Sequence, residues 1–298
     1  MSGSSAPFGR LLTAMVTPMA ADGAVDYDAT QRLASHLVDA GNDGLIISGT
    51  TGESPTTTDA EKEQLVRVVH DAVGDRAQVV AGVGTYDTNH SVELARQAEK
   101  AGATGLLVVT PYYSKPPQTG LLEHFRRVAD STTLPVMLYD IPGRSGVAIA
   151  TETLLQLAEH DRIVAVKDAK GDLYETARVL AHSDLAIYSG EDALNLPLLA
   201  IGAVGAVSVV AHACAKEYEA MIRAVDAGDL AEARRINAAV LPAIRGIMTR
   251  TQGAIMAKAA LQITGVLASR AVRLPLVEAT EEQMTLLRED LHEAGIGR

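Results

Sequence analysis

Eight short runs of aliphatic and β-branched residues recur along the chain, each followed by a stretch with apolar residues at helical spacing. The runs cover residues 11–16, 44–48, 78–82, 105–110, 135–140, 163–168, 185–189 and 203–209. Most are apolar throughout rather than alternating. A strand of that kind needs cover on both faces, as in a parallel sheet flanked by helices. A strand–helix unit repeated eight times predicts an α/β chain closed into a (β/α)8 TIM barrel. An open doubly wound sheet is the alternative. It is disfavoured because no G-x-G-x-x-G follows the first run.

The helical stretches cover 26–40, 58–73, 91–101, 120–129, 151–160, 173–182, 192–201 and 215–227. Thr58 with Glu61 reads as a capping box, and Gly102 as a helix-ending glycine. After Gly228 the strand pattern stops, and 229–241, 246–267 and 281–294 read as helices. The 298 residues therefore divide into a barrel, 1–229, and a C-terminal helical extension, 230–298. No low-complexity linker separates them, so the extension packs on the barrel or on a neighbouring chain.

Composition narrows the function. Lys and Arg number 26 against 37 Asp and Glu, a net charge of −11, with no dense basic run. Nucleic acid is a poor partner for such a surface. A single cysteine, Cys214, excludes a disulfide framework and fits a reducing cytoplasm. The eight histidines are scattered without an H-x-H or H-E-x-x-H pair, so no metal site is expected. Residues 193–215 carry no charge, but Asn195, Pro197, Gly202, Gly205, Ser208 and His212 interrupt them. A membrane span needs ~20 strongly apolar residues, so the stretch reads as a buried helix followed by a buried strand. Residues 1–10 are Ser/Gly-rich and show no apolar signal segment. There is no Trp and there are two Phe, but eight Tyr. Ala, Val, Leu and Ile must pack the core, and most rings carry a hydroxyl.

Barrel chemistry sits at the C-terminal ends of strands and in the loops that follow. Four segments there stand out. Lys167 ends the run Ile163–Asp168, and strand alternation puts Ile163, Ala165 and Lys167 on one face. Facing inward, its amine would lose basicity and become a nucleophile. The alternative is a lysine paired with Asp168 or another carboxylate. Tyr139 closes the preceding run, and Pro142-Gly143 turns the chain to present Arg144, a natural carboxylate clamp. Gly49-Thr50-Thr51-Gly52 exposes hydroxyls and backbone N–H groups suited to a small anion. A helix-capping turn is the alternative. Tyr112 and Tyr113 are adjacent in a proline-stiffened loop, so at most one can serve the local pocket. Ser189-Gly190-Glu191-Asp192 reads as a strand-end turn with Asp192 at a helix start.

Together and in this order, G-T-T-G-E-S at 49–54, T-P-Y-Y at 110–113, Y-D-I-P-G-R at 139–144, V-K-D around Lys167 and S-G-E-D at 189–192 make a specific set. In these motifs the chain resembles the dihydrodipicolinate synthase family of pyruvate-dependent class I aldolases, lyases of the diaminopimelate route to lysine. The resemblance implies that Lys167 forms a Schiff base with pyruvate. It implies a proton relay of Thr50, Tyr139 and Tyr113, with Tyr113 donated by the neighbouring subunit. Thr51 would hold the pyruvate carboxylate, and Gly190 and Val207 would line the site through backbone atoms. Arg144 would bind the carboxylate of L-aspartate 4-semialdehyde. No metal or organic cofactor is implied beyond the covalent imine. The implied partners are the two small substrates and other copies of the chain, in a homotetramer built as a dimer of dimers. The Arg144 turn argues against the sister aldolases acting on N-acetylneuraminate or 2-keto-3-deoxy sugar acids. A non-catalytic barrel would be expected to have lost Lys167 or the tyrosines.

Two departures from the family pattern stand out. Glu191 replaces an aspartate. The region that binds feedback lysine in regulated members lacks their His and Asn, and Lys62 would repel a lysine ammonium if it faced that pocket. Weak or absent inhibition by lysine follows.

Overall fold

A computed structural model describes residues 6–297. Residues 1–5, half of the segment read above as lacking a signal, and residue 298 lie outside it. Strand and helix alternate as β1 (Leu11–Ala14), α1 (Tyr27–Asp39), β2 (Gly44–Ile47), α2 (Asp59–Val73), β3 (Gln78–Gly82), α3 (Thr88–Lys100), β4 (Gly105–Val109) and α4 (Gln118–Asp130). They continue as β5 (Val136–Asp140), α5 (Pro142–Ser145), α6 (Thr151–Leu157), β6 (Ile163–Asp168), α7 (Leu173–His182), β7 (Ala186–Ser189), α8 (Asn195–Ile201), β8 (Gly205–Ser208) and α9 (Ala211–Asp226). The extension adds α10 (Leu230–Ile244), α11 (Gly253–Ile263) and α12 (Glu281–Glu293).

The eight strands pair in parallel, in chain order, and β1 closes on β8 with Leu11 opposite Ala206. The uninterrupted apolar runs have their explanation in two cores. Leu12, Ile46, Val80, Leu107 and Met137 fill the barrel, while Leu45, Val79, Leu106 and Leu138 face the helices. Phe8 plugs the bottom of the barrel. Its backbone N–H donates to the Tyr188 hydroxyl (3.1 Å), which donates to the Gly9 carbonyl (2.9 Å). A Cβ at Gly105 would come within 2.4 Å of the Phe8 ring, so this neighbouring strand tolerates only glycine there.

Caps set the helix boundaries. Both bonds of the Thr58–Glu61 box form. Helix α3 starts three residues earlier than the sequence suggests, because the Asp87 side chain accepts from the Asn89 N–H. Residues 192–201 divide into a 3-10 turn, Asp192–Leu194, and α8. Strand β8 follows, as expected for that uncharged stretch. No helix among the described residues is long and apolar enough to cross a membrane.

Two expectations need correction. Residues 246–267 are not one helix. A π turn at Arg245–Thr249 precedes α11, whose start is capped by the Gln252 side chain on the Ala254 N–H. The turn brings both Arg245 and Arg250 onto the buried carboxylate of Asp290 in α12. Nor do Ile163, Ala165 and Lys167 share a face. Ile163 joins the outer core and Ala165 the inner one. The register against β5 shifts there, with Val136 opposite Ile163 but Met137 opposite Ala165. The extra residue, Val164, is a β-bulge that changes the phase of the strand.

Candidate active site

Lys167 is the penultimate residue of β6, level with Tyr139 on β5 and Tyr188 on β7. It is 5% exposed, and its Nζ stands 4.1 Å from the centre of the Tyr139 ring. Burial pulls its ammonium down to about 7; Asp192 and Glu191 oppose the fall, and Arg144 adds to it. A large neutral fraction at physiological pH is what an amine nucleophile needs. Burial pushes the Tyr139 phenol up to about 12, an effect Arg144 tempers and Glu191 reinforces. Tyr139 therefore holds its proton at neutral pH and can donate it. The Thr110 hydroxyl and N–H both donate to the Tyr139 carbonyl at 3.0 Å, fixing the strand end that carries the ring.

The turn after β7 runs against this lysine. A Cβ at Gly190 would lie 2.8 Å from Lys167 Cγ, so glycine is what allows the approach. Asp192 does more than the dipole role expected of it. Its carboxylate accepts from the Ser208 hydroxyl and from the backbone N–H groups of Val209 (3.0 Å) and Val210 (3.2 Å). It thereby ties the β7 turn to the end of β8, where Val207 is buried in the inner core. The S-G-E-D motif did mark this residue, but long-range backbone partners have no signature in a linear sequence.

The loop after β2 turns tightly. Ser48 and Glu53 both take the left-handed conformation, each with φ 57°. The Glu53 N–H donates to the Thr50 carbonyl (3.1 Å), the Ser54 N–H to that of Gly49 (3.2 Å), and the Thr17 hydroxyl to that of Gly52 (2.7 Å). Thr51 is buried by this folding. Gly49, Thr50, Ser54, Tyr112 and Tyr139 line one cavity of about 50 Å³. Thr50 and Tyr139, both singled out in the sequence, thus line the same cavity.

Of the adjacent tyrosines, Tyr112 turns into that cavity and packs edge-on against Tyr86, with ring centres 5.4 Å apart. Tyr113, in the left-handed region at φ 73°, is 93% exposed and does not line that cavity. Arg144 lies on the short helix α5, exposed, and its charge acts on both Lys167 and Tyr139. The Ser145 hydroxyl braces this turn on the carbonyls of Ile141 (3.0 Å) and Val147 (2.8 Å). Lys62 lies outside the cavity of Thr50 and Tyr112. Its ammonium donates to the Thr57 carbonyl and lies 3.7 Å from Asp59.

A closed barrel with a buried, weakly basic lysine at a strand's C-terminal end holds an amine where such barrels place their chemistry. Residues 7–294 match the dihydrodipicolinate synthetase family, and the chain belongs to it. A protein of Kineococcus radiotolerans named 4-hydroxy-tetrahydrodipicolinate synthase is 66% identical over 290 residues, 97% of this chain and 94% of its own. The structure of a dihydrodipicolinate synthase from Cyanidioschyzon merolae with lysine bound superposes with a TM-score of 0.94 at 42% identity, covering 97% of this chain and 99% of that one. A structure described as the first monomeric dihydrodipicolinate synthase variant gives a TM-score of 0.93 at 35% identity, covering 97% and 98%.

Proposed function

We propose that the chain condenses pyruvate with L-aspartate 4-semialdehyde, the reaction of a 4-hydroxy-tetrahydrodipicolinate synthase, through an imine on Lys167. The observation that carries the reading is the desolvated Lys167 amine over the Tyr139 ring, with a phenol that keeps its proton. The neutral amine adds to the keto carbon of pyruvate. Tyr139 supplies the proton with which the hydroxyl leaves as water. The protonated imine then draws electrons from the methyl group, which loses a proton to give an enamine. The enamine carbon attacks the aldehyde. The substrate's amine closes on the imine carbon and releases Lys167.

The remaining roles follow from position. Thr51 and the N–H groups of its turn hold the pyruvate carboxylate, and Arg144 takes the carboxylate of the second substrate. Gly190 and Val207 bound the pocket from β7 and β8. Thr50 and Tyr139 share a cavity, and Tyr113 of a second copy completes the relay in a tetramer of paired dimers. Its outward pose supports a role in trans. The lysine serves as the electron sink without an external cofactor. The single cysteine, buried Cys214, suits a cytoplasmic enzyme.

The test is to incubate the protein with pyruvate, reduce with borohydride and weigh it. One pyruvate-derived adduct should appear, and Lys167→Ala should abolish it; an adduct that persists in the variant refutes the assignment. Turnover should be fast with aspartate semialdehyde and negligible with N-acetylmannosamine. The reverse preference would make this a sister aldolase.

A further inference from the structure

Lys258 sits in the middle of α11 with 0% exposure, flanked from Ala254 to Leu261 only by Ala, Ile, Met and Leu. Its Nζ donates to Glu53 Oε1 and, at 2.6 Å, to the Ala271 carbonyl. Glu53 is itself 2% exposed, and its Oε2 accepts the Arg273 N–H at 2.9 Å. Both carboxylate oxygens are thus held by the C-terminal extension. Glu53 is also the left-handed residue that closes the Gly49–Gly52 turn onto Thr50. The Arg273 guanidinium holds the end of the same loop through the Thr56 carbonyl (2.8 Å) and a two-pronged pair with Glu61 at the start of α2, and reaches the β1–α1 loop through the Gly23 carbonyl (2.8 Å).

A buried ion pair is a poor device for stability alone, because desolvation offsets most of the attraction and apolar packing would serve as well. Its value lies in geometry: one arrangement pairs both charges, and slipped arrangements strand one of them. The pair meets the barrel at a non-glycine residue whose backbone conformation costs energy unless its surroundings enforce it.

We propose that Lys258 and Glu53 are a positioning pair by which the C-terminal helices hold the 49–54 turn in the shape that receives the pyruvate carboxylate. The proposal rests on the reading of Thr50 and Thr51 given above. Neither residue need touch substrate. The pair acts through the backbone between Gly49 and Glu53.

The decisive measurement is the pyruvate concentration that half-saturates borohydride trapping, set beside the steady-state KM for each substrate. Misplacing a binding group by about an ångström can cost up to ~100-fold. Lys258→Met and the isosteric Glu53→Gln should therefore each raise pyruvate half-saturation about tenfold or more. The KM for aspartate semialdehyde should stay within about twofold, since Arg144 stands on a different loop. If Lys258→Met is not recovered folded, Glu53→Gln, which preserves the side chain's shape, decides alone. A lowered melting temperature with unchanged pyruvate half-saturation would reduce the pair to a structural strut and overturn the proposal. No adduct in the unmodified protein would instead sink the assignment of Lys167, a separate failure.

Discussion

Two lysines are buried in this chain, and their surroundings are opposites. Lys258 is locked between a carboxylate and a carbonyl, with both partners themselves buried. Lys167 faces an aromatic ring, with Asp192 and Glu191 near enough to oppose its loss of basicity but not to cancel it. Burial is common to both, so burial does not make a lysine a nucleophile. What differs is whether a partner holds the proton in place. The first site is built for fixed geometry. The second leaves an amine free to lose its proton and form a bond.

The contrast can be broken most sharply by giving both lysines the same substitution. Lys167→Met should cut turnover by ~10³-fold or more, since the covalent route disappears. Its stability should be unchanged or slightly raised, by about 1 kcal/mol, because a desolvated amine without a fixed partner is replaced by an apolar chain. Lys258→Met should do the reverse to stability and cost about 3–5 kcal/mol by stranding Glu53. Thermal unfolding read by circular dichroism decides, and shifts of the same sign and size would erase the distinction.

Next in size is the rim. Arg144→Ala should lower kcat/KM for the aldehyde by roughly 10–100-fold, the worth of a charge-assisted pair. The yield of trapped pyruvate imine should be untouched, and equal losses in both would assign Arg144 a different role. Acidity offers a gentler probe. With Lys167 held near 7, the amine is protonated and inert below that pH and free above it. Imine formation should fall about tenfold per unit below pH 7 and level off above it. A profile still climbing at pH 9 would mean that the amine keeps its ordinary basicity. The smallest expected effect is that of L-lysine at sub-millimolar concentration, which should leave turnover unchanged. Half-inhibition there would overturn that expectation, which now rests on the missing His and Asn, since Lys62 is already engaged by Thr57 and Asp59.

The barrel was legible because its strands are apolar on both faces, a pattern that few other arrangements of the chain can bury. Lys167, Tyr139, Thr50 and Arg144 could be singled out as candidates because strand ends and the turns after them are where such a barrel puts chemistry. Lys258 was not, since a lysine within an Ala-rich helix has no local mark of its partner 205 residues away. Tyr112 and Tyr113 could be separated as a pair, but which one turns inward depends on a left-handed backbone at Tyr113 that composition does not encode. The face of Ile163 failed for a similar reason, because a bulge belongs to the pairing of two strands and not to either strand alone.

That bulge has a consequence for how the strand can vary. Between Ile163 and Ala165 it resets the inward–outward count, so the side that Lys167 faces is decided from Ala165 onward. Changes in length at the entrance to β6 can be absorbed at Val164 without rotating the reactive amine out of the barrel. A residue inserted or deleted between Ala165 and Lys167 has no such buffer and would turn Lys167 toward the helices. The strand carries a point of tolerance and a point of intolerance within a few residues of each other.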